Sequence, residues 1–188
     1  FYETNKANYI APEQVVLEYI EISQADMAKS VPVTDEIIQA YYDENKSLFM
    51  VPEKRQAKHI LINVEAATPE AEAEAMKTVE EVQAKLAAGE SFADLAKTYS
   101  KDPGSAQSGG DLGSFEQGMM VPEFDQAVFS MEVGQVSQPV KTDFGFHLIK
   151  LTGIDAASYQ PLAEVKNQVT EQYQLQQAEK QYFDLLEQ

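Results

Sequence analysis

Cysteine is absent from the 188 residues. That excludes disulfides, thiolate-held metals and a cysteine nucleophile together. It leaves cytosol and envelope equally open, because a cysteine-free chain suits either. Arginine occurs once, at Arg55, and histidine twice, at His59 and His147. With no H-x-x-x-H spacing, a zinc site would have to lean on carboxylates, so no metal is expected. Positive charge is scarce as well: 14 Lys and Arg stand against 31 Asp and Glu, a net charge of −17 at neutral pH. Such a chain repels nucleic-acid phosphates and anionic membrane surfaces. No apolar run approaches the roughly 20 residues of a membrane span, and no signal-peptide pattern opens the chain. It begins at Phe1, inside a helical pattern, and is expected to be a piece of a longer protein.

What is present suffices for a core. Hydrophobic residues make up 44% and aromatics 10%, enough for one large domain or two small ones. A repeat comes first: Tyr2, Asn5, Lys6, Pro12 and Glu13 recur 40 residues on as Tyr42, Asn45, Lys46, Pro52 and Glu53. Each copy reads as a helix end, a proline stop and an extended apolar run, Val15 to Ile22 and then Lys54 to Val64. Tyr19 takes the place of His59 in that register. The copies are either a divergent duplicated unit or two instances of one helix-proline-strand connector.

Thr34, followed by Asp35 and Glu36, predicts a helix start, with Ile37, Ile38, Tyr41, Tyr42, Leu48 and Phe49 as an apolar stripe. Thr68-Pro69 predicts a second, with Met76, Val79, Val82 and Leu86 at helical spacing and Gly89 as its stop. Ser91 opens a third, with Asp94 in the capping-box position. Seven of the nine glycines then fall between Gly104 and Gly145. Short strands are expected there at Asp111 to Phe115, Val136 to Val140 and Phe146 to Thr152, with a helix from about Glu123 to Met131. Leu162 to Leu186 reads as one long, Gln-rich helix. Too weakly amphipathic to stand alone, it is expected to pack on the N-terminal helices.

Three segments carry the chemistry. Ala57-Lys58-His59-Ile60-Leu61-Ile62 is a strand with one histidine. Gly109-Gly110-Asp111-Leu112-Gly113-Ser114-Phe115 leads into Gly118-Met119-Met120-Val121-Pro122-Glu123-Phe124. The third is Pro139-Val140-Lys141-Thr142-Asp143-Phe144-Gly145-Phe146-His147-Leu148-Ile149. Together, and with Gly89-x-Ser91-Phe92-x-x-Leu95-Ala96 and Ser100-x-Asp102 in order between them, they closely resemble the parvulin family of peptidyl-prolyl cis/trans isomerases over Pro52 to Gly153. The flanks resemble the bacterial envelope foldases SurA, PrsA and PpiD, the helix-proline-strand segment being most like PpiD.

The resemblance implies an α+β fold: a parvulin-like module with a four-stranded antiparallel sheet and surrounding helices, residues 52–153. It is expected to be inserted in a mainly helical, chaperone-like domain made of residues 1–51 and 154–188. It further implies a polar floor of His59, Asp102, Thr142 and His147, and a proline grip of Leu112, Met120 and Phe124, with Phe129 as a further wall or core position and Phe144, at a position where the family varies, as a further substrate contact. No cofactor or metal is implied. The expected partners are unfolded or newly translocated polypeptides with X-Pro bonds, and other envelope foldases or a translocon. The expected location is the periplasm, with an inner-membrane anchor outside this sequence. A basic cluster, which phosphate-selective parvulins carry after the first strand, is missing from Asn63 to Glu70.

Taken singly, these residues have plainer readings. A histidine in an apolar strand is a hydrogen-bonded structural residue, Asp102 before Pro103-Gly104 is turn chemistry, and Met120 and Phe124 at helical spacing are core. The main alternative function is a holdase that binds Pro-containing segments without turnover. A docking scaffold is the third.

Overall fold

The computed structural model describes residues 2–5, 16, 18 and 23–187. In chain order its helices are α1 (Tyr2–Asn5), α2 (Gln24–Ser30), α3 (Asp35–Glu44), α4 (Pro69–Ala87), α5 (Phe92–Tyr99), α6 (Pro122–Phe129) and α7 (Leu162–Leu186). The strands are β1 (Met50–Val51), β2 (Lys54–Ile62), β3 (Asp111–Glu116), β4 (Val140–Thr142), β5 (Gly145–Asp155) and β6 (Ser158–Tyr159). Contacts divide the chain into a unit of Lys46–Gln160 and a second of Phe1–Asn45 with Pro161–Gln188.

The second unit is helical. Thr34 accepts the Ile37 N–H as its cap, and α7 lies against α2 and α3. Val165, Val169 and Ala178 give α7 a buried seam, Tyr41 meets Tyr173 edge-on at 5.6 Å, and Lys166 pairs with Asp35. The long helix is therefore held by packing, as its weak amphipathic pattern requires. Lys6, Pro12, Glu13 and most of the Val15–Ile22 run lie outside the described residues, so the repeat is visible only in its second copy. There α3 stops at Glu44, Lys46–Phe49 form a single 3₁₀ turn, and Pro52 separates β1 from β2. Leu48, expected on the apolar stripe, sits in that turn and is 61% exposed.

The Lys46–Gln160 unit is α+β. Four strands in the order β3-β2-β5-β4 form a wholly antiparallel sheet. His59 to Ile62 and Gly145 to Ile149 are buried without alternation because both faces of β2 and β5 are covered there. Ile60, Ile62, Phe146 and Leu148 face one way, packing with Val79 and Val82 of α4 and Phe92 and Leu95 of α5. Ala57, Ile149 and Leu151 face the other, with Phe115 of β3 and Phe124 and Val128 of α6. Thr68 caps α4 by accepting the Ala71 N–H, with Pro69 in the first turn.

Three local expectations need correction. The Val136–Val140 strand is only a bridge from Val136 to Lys150, and β4 begins at Val140. Ser137 instead binds Ile149 through both its N–H and its hydroxyl, and Pro139 has no N–H to continue a ladder. Ser91 precedes α5 without a side-chain capping bond. α6 closes at Phe129, where the lone arginine stops it. Arg55, 8% exposed, donates to the carbonyls of Phe129 and Met131 and to Glu53, and its guanidinium lies 5.1 Å from the Phe129 ring. A cation at a helix C-terminus satisfies the last carbonyls and the dipole together.

Gly110 brings β3 against the histidine strand. The His59 N–H donates to Gly110 O at 2.8 Å. With φ +81°, a Cβ at this residue would stand 2.2 Å from His59 O. Gly113 also has positive φ, +69°, but open space around it. Gly110→Ala should therefore cost at least about 2 kcal/mol and Gly113→Ala only about 1. Urea midpoints of the two variants measure the difference.

Candidate active site

Strand register brings the two histidines together. His59 is opposite Ile149 and Leu61 is opposite His147, so the histidines lie diagonally on the face of the sheet turned toward α6. They are 6% and 5% exposed. Their Nδ1 atoms are 3.2 Å apart and their rings lie within 21° of parallel. Phe124, on α6, presents itself edge-on to both, with centroids 5.8 Å from His59 and 5.5 Å from His147.

Each outer nitrogen has its own partner. His59 Nε2 is 2.9 Å from Asp102 Oδ2 and 3.0 Å from Ser105 Oγ. His147 Nε2 is 2.8 Å from Thr142 Oγ1, which also accepts the Phe144 N–H at 3.1 Å. Asp102 is wound into its own turn. Its carboxylate accepts the N–H groups of Gly104 and Ser105 and the Ser105 hydroxyl. Burial pushes its pKa up, but the hydrogen bonds from Ser105, His59 and Gly104 outweigh that and bring it down to about 2.

The network assigns the protons. Ionised Asp102 can only accept, so His59 carries its hydrogen on Nε2. The Nδ1–Nδ1 contact holds one hydrogen, and with that hydrogen on His147 it is donated to His59 Nδ1. His147 in turn accepts at Nε2 from the Thr142 hydroxyl. That pattern satisfies every group around the ionised Asp102. Two imidazolium rings would set N–H against N–H across 3.2 Å. Burial first, and repulsion from a protonated His59 second, lower the His147 pKa from 6.5 to about 4.

Above this floor lies a cleft of about 440 Å³, walled by Leu61, Leu112, Met120, Val121, Phe124 and Phe144, with His59, His147 and Asp102 at its base. Phe144 is 61% exposed at the rim. The fold thus assembles eight of the nine residues singled out in the sequence, Thr142 by its bond to His147 rather than by lining the cleft. Phe129 is the exception: of its two expected places, wall or core, it takes the core one, packed against the Phe115 cluster and absent from the cleft. It packs edge-on to Phe115 and beneath Arg55, beside a different depression, because it ends α6 on the side away from Phe124. Ser105, 2% exposed, was missed. Its signal was the Asp102-Pro103-Gly104-Ser105 spacing, in which an acid accepts from residues two and three ahead. A groove of about 920 Å³ adjoins the cleft through Asn63, Lys101 and Phe144, and is bordered by Glu65, Glu74 and Asp143.

The pKa directions set a pH dependence. His147 has a folded pKa of about 4 against 6.5, so the unfolded chain takes up that proton first. Its contribution to stability is complete above pH 6.5 and is lost as pH falls toward 4. Asp102 adds a loss below 3.8, toward 2. Denaturant titrations from pH 7 to 4 should register a fall of about 3 kcal/mol, and His147→Gln should flatten most of that slope.

Residues 59–153 match the rotamase family model described as a PPIC-type PPIase domain. A foldase protein PrsA of Caldanaerobacter subterraneus subsp. tengcongensis is 42% identical over 159 residues, 84% of this chain and 46% of that protein. The periplasmic chaperone PpiD of Haemophilus ducreyi is 35% identical over 170 residues, 90% of this chain and 26% of that protein. Among solved structures, a SurA-like chaperone of Campylobacter jejuni aligns with a TM-score of 0.63 at 32% identity, covering 87% of this chain and 65% of that one. The chain spans less than half the length of these two curated relatives. A foldase protein PrsA 4 of Bacillus cereus is 36% identical over 179 residues, 95% of this chain and 56% of that protein, a longer match than that to PpiD. Together with the two-histidine site, these matches establish that the chain belongs to the PPIC-type, parvulin family of peptidyl-prolyl isomerase domains, in the group of the PrsA, PpiD and SurA foldases and chaperones.

Proposed function

We propose that this chain is a peptidyl-prolyl cis/trans isomerase and folding factor that acts on unfolded proteins of the bacterial envelope, without cofactor or covalent intermediate. The observation that carries the reading is an apolar cleft resting on a buried, hydrogen-bond-saturated histidine pair. The barrier to amide rotation, about 18–20 kcal/mol, is resonance between the nitrogen lone pair and the carbonyl. Resonance makes the planar amide more polar than the twisted one. A surrounding that solvates the planar form less than water does lowers the barrier.

In this reading Leu112, Met120 and Phe124 hold the proline ring, and Phe144 bounds the chain beside it. The Asp102–His59–His147–Thr142 chain keeps the floor rigid, and no proton is transferred. Each tenfold in rate requires only about 1.4 kcal/mol of preference for the twisted amide. The envelope location rests on the group of relatives, and any membrane attachment would be made outside these residues. Among the described residues, no helix is long and apolar enough to cross a membrane. Partners beyond the client chain, such as another foldase or a translocon, remain part of the proposal. The helical unit would add holding capacity, since Leu175, Phe183, Leu185 and Leu186 of α7 are exposed.

Client preference follows from charge. Glu65, Glu74 and Asp143 border the groove next to the cleft, against Lys101. A phosphoserine before proline would bring two negative charges to that border.

Exchange NMR on an Ala-Pro peptide with catalytic amounts of the chain tests the activity. Met120→Ala should lose about tenfold or more in kcat/KM with an unchanged melt. His59→Ala should mainly lose stability. A folded, fully active Met120→Ala would sink the grip assignment, and peptide binding without acceleration would favour the holdase alternative. In the same assay a phosphoserine-proline peptide should turn over at least about tenfold more slowly than its serine counterpart, and equal rates would dismiss the charge argument.

A further inference from the structure

The isomerase reading leaves one buried acid unused. Asp125, on the first turn of α6 one residue after Phe124, is 8% exposed. Its Oδ2 accepts the Gly118 N–H at 2.9 Å. Its Oδ1 is buried and has no hydrogen-bond partner. Burying a carboxylate with one oxygen unsatisfied carries a desolvation penalty, so a specific geometric consequence is to be sought.

That consequence lies at the other end of the bond. Gly118, at φ +86°, starts the short segment that carries Met120 to the cleft. The other bonds on this turn are longer, Met119 N–H reaching Glu116 O and Glu116 N–H reaching Met119 Sδ, each at 3.3 Å. The charge-assisted bond to Asp125 is the shorter, and in general such bonds are the stronger kind. It fastens the turn to the helix that bears Phe124. We infer that Asp125 is a positioning residue for the proline grip: its carboxylate locks the Gly118–Met120 turn onto α6, so that Met120 and Phe124 face the cleft at a fixed separation. It touches no substrate. It acts through Met120, and its effect rests on the isomerase reading of the cleft.

Asp125→Asn keeps an oxygen that can accept from Gly118, whereas Asp125→Ala keeps none. In the exchange assay Asp125→Ala should lose about ten- to a hundredfold in kcat/KM, the cost of a misplaced contact group, while Asp125→Asn stays within about threefold of the parent. Methyl NMR of Met120 gives a readout independent of turnover. Its εCH₃ resonance should narrow toward rotamer averaging in the Ala variant and match the parent in the Asn variant. Parental activity in a folded Asp125→Ala would overturn the inference. So would an Asn variant as impaired as the Ala variant with the Met120 methyl unmoved, since charge and not the tether would then matter. If Asp125→Ala does not fold, hydrogen exchange at the Gly118 amide decides: protection supports the lock, and exchange at the rate of a free amide overturns it. Should the parent itself fail to accelerate the peptide, the isomerase reading falls while the methyl comparison still tests the lock.

Discussion

The register of β2 against β5 is the constraint on which the site depends. Leu61 opposite His147 and His59 opposite Ile149 place both imidazoles on the α6 side, while Ile60, Ile62, Phe146 and Leu148 go beneath α4 and α5. Strand periodicity is two, so a slip of one residue between them would turn one strand over relative to the other, sending one histidine into the larger apolar core and Ile60 or Leu148 into the cleft. Neither face could tolerate that exchange. The α4–α5 side offers no partner for the nitrogens of a displaced imidazole, and the cleft would lose its hydrogen-bonded base. Core packing and site assembly therefore select one and the same register.

Elements from four parts of the chain then converge on that pair. Asp102 and Ser105 come from the turns after α5, Thr142 from β4, Phe124 from α6, and Gly110 closes over the His59 backbone. Each brings a contact that requires the histidines where they are. In the isomerase reading, rigidity is what such a base supplies, because amide rotation has no bond to break and only a small preference for the twisted state to secure.

Much of this was legible beforehand because it is local or periodic. The caps at Thr34 and Thr68, the bounds of α7, the glycine-rich stretch and the histidine strand all follow from residues a few positions apart. The cleft residues were legible through resemblance, since no spacing in one sequence brings Met120 beside His59. What escaped depends on three-dimensional coincidence. Arg55 was read as a mark of scarce positive charge, yet it is the clamp that ends α6, through carbonyls 74 and 76 positions away. Phe129 shares a helix with Phe124 but falls on its other side. The Val136–Val140 strand yielded to Ser137 and Pro139, whose competing bonds and missing donor no hydrophobic count registers.

The proton inventory bears on how such a cleft could work. A full positive charge beneath a bound X-Pro amide would stabilise the polar, planar form and so raise the barrier to rotation. The fold opposes that charge at His147 by burial and by the nitrogen it faces. The negative charge of Asp102 is likewise drawn off by the Ser105 hydroxyl, two backbone N–H groups and His59. On this account histidine suits the two positions because each ring can donate from one nitrogen while accepting at the other. That lets four side chains form a saturated chain across the sheet with no net charge at its His147 end. A lysine could not accept, and an aliphatic residue could do neither. On the same account a pair of histidines would matter for the reaction without transferring a proton.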